Sequence, residues 1–128
     1  MPAYDGPPRS DAEVGVIRII GKGQFLEIDG IKRDGRAFKV LPGRRSLRFK
    51  FWFDDFIGDR PNRRTLRCVT DIRVAAGQEY EIVRGALGKE TYEKAGPYTL
   101  SSREFEIWVA NARSGARIDE SVVFCDWS

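Results

Sequence analysis

At 128 residues, with 41% apolar and 12% aromatic content, the chain fits one domain able to bury a core without staples. No apolar run approaches the roughly 18 residues of a membrane-spanning helix, and Met1-Pro2-Ala3-Tyr4 leads into polar sequence without a secretory pattern. The net charge of +3 is uneven, because residues 1–64 carry 14 basic and 9 acidic side chains while residues 65–128 carry 8 and 10.

Residues 1–13, MPAYDGPPRSDAE, hold three prolines and little that packs. They read as a flexible tether, leaving residues 14–128 as a single domain. Val14, Val16, Ile17, Ile19 and Ile20 make a first strand, broken by Gly21-Lys22-Gly23. Phe25 to Asp29 makes a second, ending on Asp29-Gly30, a favoured tight-turn pair, and Asp34-Gly35 falls in the loop that follows. Ala37–Leu41 and Arg45–Phe53 then read as two arms of a hairpin turning on Pro42-Gly43. In the second arm Leu47, Phe49, Phe51 and Phe53 alternate with Ser46, Arg48, Lys50 and Trp52, the period of a half-buried strand. Asp54–Arg64 reads as a charged loop, and Leu66–Val74 as the next strand. Ala75-Ala76-Gly77-Gln78 is expected to turn Glu79–Val83 back onto that strand as an antiparallel partner. Gly85–Arg103 reads as a long excursion, with a helical turn or two over Lys89–Ala95. Glu104–Ala110 restores alternation, and Ala116–Ile118 with Val122–Phe124 can supply a terminal strand.

Short strands at regular intervals predict an all-β fold, an antiparallel sandwich of seven to eight strands. The expected core is Leu47, Phe49, Phe51, Leu66, Ile72, Tyr80, Ile82, Phe105, Ile107 and Val109. A small oligonucleotide-binding barrel is the rival architecture, given basic strands interleaved with aromatics.

Four short motifs recur in a familiar order. They are Ile28-Asp29-Gly30, Val40-Leu41-Pro42-Gly43-Arg44, Ala75-Ala76-Gly77-Gln78-Glu79-Tyr80, and Trp108-Val109 ahead of Ser114-Gly115. The pattern resembles a group of small bacterial envelope lipoproteins of poorly defined function, and Tyr4-Asp5-Gly6-Pro7-Pro8 resembles the tether after their lipid-bearing cysteine. The resemblance implies an immunoglobulin-like or transthyretin-like sandwich. It also implies periplasmic display on a lipid anchor carried by a fuller precursor, and a non-enzymatic binding or assembly role. The chain departs from the pattern in having no acceptor cysteine before Tyr4 and no counterpart for the Asp59–Arg64 and Gly85–Arg103 segments.

The chemistry on offer is narrow. With no histidine and only Cys68 and Cys125, neither a common zinc site nor a histidine-activated nucleophile can be assembled. No catalytic residue, metal ligand or cofactor is therefore assigned. Outward pairs such as Glu104 and Glu106 read as solvated strand-face charges, and Gly21-Lys22-Gly23 lacks the spacing of a phosphate loop. Cys68 and Cys125 have two open arrangements: one disulfide, favoured by an oxidising compartment, or two buried thiols.

The basic excess gathers at Lys32, Arg33, Arg36, Lys39, Arg44, Arg45, Arg48 and Lys50. Arg44, Arg45, Arg48, Lys50 and Trp52 are the candidate binding residues, because guanidinium groups beside a flat aromatic suit an acidic partner. An envelope protein or an anionic glycan are the partners this favours. The acidic second half of the chain argues against nucleic acid, and a membrane is reached only through the inferred anchor. Two bland readings stay open: the cations are a solvated face that keeps an edge strand from pairing with other chains, and Trp52 and Trp108 cover a sheet edge or lie beneath the long excursion.

Overall fold

The alternating segments build two sheets that face each other, and their inner sides supply one core. The computed structural model describes residues 2–57, 60–95 and 98–127, with the backbone alone given for 54–57, 61–62, 86–95 and 98–105. The strands are β1 Gly15–Ile19, β2 Gly23–Ile28, β3 Ile31–Gly35, β4 Ala37–Val40, β5 Gly43–Ile57, β6 Arg60–Val74, β7 Glu79–Ala95, β8 Tyr98–Asn111 and β9 Phe124–Trp127. One sheet runs β4-β1-β7-β8 and the other β3-β2-β5-β6-β9. The fold is thus an all-β sandwich, and among the described residues every ladder between strands is antiparallel except β1 with β7.

Period-two burial explains the layering. Ile17, Ile19, Phe38, Val40, Tyr80, Ile82 and Val109 of the first sheet meet Phe25, Ile28, Leu47, Phe49, Phe51, Phe53, Leu66, Cys68 and Ile72 of the second. Phe25 lies at its centre, edge-to-face with Phe38 at 5.8 Å and with Phe49 at 6.4 Å between ring centroids. Such pairs add to the burial of the rings themselves. Of the core expected from sequence, Ile107 is only partly buried against the cluster, and Phe105 has its side chain outside the described residues.

Two expected hairpins are corners instead. β4 pairs with β1, whereas β5 pairs with β2 and β6, so Pro42-Gly43 carries the chain from one sheet to the other. Gly43 takes the positive φ of 114° that this corner needs. Ala75–Gln78 is a second corner: β6 stays in the five-stranded sheet, while β7 joins β1 in parallel and β8 antiparallel. Alternation and turn residues are the same for a hairpin and a corner; only the free edge that receives the next strand differs.

The reverse holds for the expected loops. β5 and β6 stay paired out to Ile57 and Arg60, and β7 and β8 out to Ala95 and Tyr98. Lys89–Ala95 is therefore strand, not helical turns, and only residues 58–59 and 96–97 of those loops lie outside the described residues. β3, IKRDG, adds a strand with no apolar alternation, held by its ladder to β2. The terminal strand begins at Phe124, later than expected, and Arg117 forms only an isolated bridge to Ala110. Residues 2–13 do not stand clear of the domain. Pro2 bridges to Lys39, Ala3 N donates to Lys39 O at 2.8 Å, and Asp11 pairs with Lys39 at 2.9 Å. These contacts all fall on Lys39 of β4, a strand at the edge of its sheet with backbone groups to spare.

Candidate functional site

On β5 the inward phenylalanines force Arg44, Ser46, Arg48, Lys50 and Trp52 onto the outer face of the five-stranded sheet. The antiparallel ladder sets Arg73, Asp71, Val69, Arg67 and Thr65 of β6 beside them in that order. Neighbours two residues apart along one strand are about 7 Å apart, so Arg44 to Lys50 spans about 20 Å. The face thus holds two directly opposed cation pairs, Arg44 with Arg73 and Lys50 with Arg67. Like charges set opposite each other in a ladder are unfavourable unless something neutralises them.

Some neutralisation is internal. Arg44 reaches Asp71 at 2.5 Å, and that hydrogen bond, followed by one from Ser46, holds the Asp71 carboxyl below its ordinary range. Arg48 meets Glu27 at 3.2 Å. This contact depends on a bulge in β2: Phe25 pairs with Phe49 and Glu27 with Arg48, so the extra residue Leu26 swings Glu27 to the outer face. Among the described residues, Lys50, Arg67 and Arg73 have no such carboxylate contact.

Beside the cations lies a groove of about 410 Å³ between β6 and the segment that leads into β9. Arg44, Ser46, Arg48 and Asp71 form one wall, and Glu120, Val122 and Phe124 the other. Its apolar end is open to solvent: Val69 is 38% exposed, Val122 57% and Phe124 67%. The second wall is pinned from beneath by Thr70 Oγ1 donating to Val122 O at 2.8 Å. It is pinned again by Cys68 and Cys125, which face each other across β6 and β9 with Cα atoms 4.1 Å apart and are joined by a disulfide.

Arg45 belongs elsewhere. Its side chain donates to Leu41 O at 3.0 Å and Pro42 O at 2.9 Å, and it pairs with Asp29 at 3.0 Å. Asp29 also accepts from Ser46 N at 2.9 Å. Arg45 therefore rivets the inter-sheet corner to the β2–β3 turn, the employment that the sequence reading did not foresee. The wider basic cluster also disperses: Arg36 donates to Gly21 O, and Lys39 lies on the other sheet beside Asp11. Trp52 does share the outer face with Arg48 and Lys50, half-buried, with its carbonyl held by Arg84 Nη1 at 3.0 Å.

Trp108 is covered by a neighbouring side chain. Arg117 lies over its ring at 4.1 Å and pairs with Glu106 at 2.7 Å, while a Cβ on Gly85 would come within 2.6 Å of the indole. Glu106 is thereby committed to Arg117, and the side chains of Asp54, Asp55 and Glu104 lie outside the described residues. Among the described residues no three His, Cys, Asp or Glu side chains are grouped as metal ligands would be. Sequence reasoning missed Arg67 and Arg73, which the β5–β6 ladder sets opposite Lys50 and Arg44, and Phe124 and Val122, which the β6–β9 ladder and the Thr70 hydrogen bond hold on the far side of β6. No family model, curated protein or solved structure matches the chain.

Proposed function

We propose that this chain is a non-enzymatic binding or assembly module of a bacterial envelope lipoprotein, which holds an acidic protein surface on the outer face of its five-stranded sheet. The observation that carries this reading is the Lys50–Arg67 pair, opposed across a ladder with no carboxylate contact among the described residues. A partner's carboxylates would relieve that repulsion, and guanidinium and ammonium groups beside Trp52 suit such a surface. The exposed Val69, Val122 and Phe124 favour a protein over a polysaccharide, because cations around apolar contacts are the make-up of a protein interface. The Cys68–Cys125 bond supports an oxidising setting such as the periplasm.

A photo-crosslinking side chain at position 65, next to Arg67 on the same outer face and leaving both cations in place, tests the reading when the protein is exposed to a bacterial envelope extract. The expected product is a discrete adduct with an acidic protein, lost when Lys50 and Arg67 are both replaced by Ser. Adducts with anionic glycan alone would move the assignment to a glycan-binding module. No discrete adduct would remove the binding role of this face.

A further inference from the structure

We infer that the groove between β6 and the segment before β9 seats one extended acidic peptide segment of the partner. Its carboxylate would lie at the Arg44–Arg73 end and its large apolar side chain at the Phe124 end. This rests on the reading of the outer face as a protein-binding surface, and specifies what the partner must present there.

A second hollow of about 260 Å³ continues the groove and shares Arg44, Asp71 and Glu120 with it, adding Arg73 and Ser121 to the walls. Its cations indicate the ligand's sign. Arg44 and Arg73 oppose each other across the ladder, and Asp71 reaches Arg44, whereas Arg73 has no carboxylate contact among the described residues. A carboxylate there takes its hydrogen bonds from the Arg73 guanidinium. Glu120, on the rim of both hollows, is placed to accept from peptide N–H groups.

The apolar end sets the spacing. Val69 and Phe124 are directly opposed in the β6–β9 ladder, with Val122 beside them on the wall. Val69 is four residues from Arg73, about 13 Å along the strand. Side chains on one face of an extended peptide repeat every second residue, so the matching ligand carries its carboxylate and its apolar group four positions apart. A saccharide has the carboxylates but nothing to cover three exposed apolar side chains.

Fluorescence anisotropy with two synthetic octapeptides of equal composition tests this. One places Glu and Leu four residues apart; the other places them three apart, on opposite faces. The first is expected to bind at least ten-fold more tightly. Phe124→Ser and Arg73→Ser, both at exposed positions that leave the core intact, should each weaken it about ten-fold at an unchanged melting temperature. Equal binding of the two peptides, no binding of either, or indifference to Phe124→Ser would overturn the inference. If the octapeptides fail while the position-65 adduct still forms and still needs Lys50 and Arg67, the groove is wrong and the binding face stands. Failure of both removes the face as well.

Discussion

Reducing the Cys68–Cys125 bond is the most informative single perturbation of stability. The bond joins residues 57 apart in sequence. In the chain-entropy account, opening a loop of that length returns about 14 cal/mol/K to the unfolded chain, or about 4 kcal/mol at 25 °C. For a domain of this size, with an unfolding entropy of about 2 cal/mol/K per residue, the melting temperature should fall by about 15 °C. The loss should begin locally. Among the described residues β9 has four ladder positions, Leu66↔Trp127 to Val69↔Phe124, with Trp127 on Phe53 at 5.4 Å and beneath Arg64 at 4.2 Å. Its side chains are otherwise mostly exposed, so little apolar burial holds it once the bond opens. Thermal and urea unfolding with and without reductant give the global figures, and amide exchange over residues 122–127 gives the local one. A melting temperature that falls by less than about 3 °C, or two thiols alkylated without reductant, would refute the reasoning.

Three further outcomes follow from individual contacts. Arg45→Ser should cost about 1–3 kcal/mol in denaturant unfolding, because three hydrogen-bonded contacts at the corner are lost, whereas Arg48→Ser should stay within about 0.5 kcal/mol. Gly85→Ala should cost about 1–3 kcal/mol and shift the near-ultraviolet signal of Trp108, because the new methyl group would overlap the indole. Asp71 has a folded pKa below the ordinary 3.8 through its bond from Arg44, so its contribution is present above that value and lost as pH falls through the folded pKa. Asp71→Asn should flatten that acid limb of the stability profile.

Much of the sandwich was legible because it rests on period-two alternation, which reads directly as inward and outward faces. Leu47, Phe49 and Phe51 stand in the core on that basis alone. What alternation cannot carry is the choice of neighbour. Pro42-Gly43 and Ala75–Gln78 have the residues of tight turns, but whether the next strand folds back or crosses depends on the free edge waiting for it. β3 was hidden because its stabilisation is backbone pairing with β2, which leaves no apolar trace in IKRDG. The candidate face was half visible. Arg44, Arg48, Lys50 and Trp52 follow from β5, while their cationic counterparts on β6 and the apolar wall at Val122 and Phe124 arise from register. Arg45 shows the limit of counting charges: adjacent in sequence to Arg44, it points the other way and is spent on the fold.

The central claim is that recognition depends on the cations of one particular face and not on net charge. The affinity of the captured partner should therefore be measured for the double variant Lys50→Ser with Arg67→Ser, and for a charge-matched control, Arg9→Ser with Arg113→Ser, at exposed positions away from that face. The account predicts at least a ten-fold loss, about 1.4 kcal/mol, for the first pair and less than a two-fold change for the second. Equal losses from both pairs, or none from either, would contradict it.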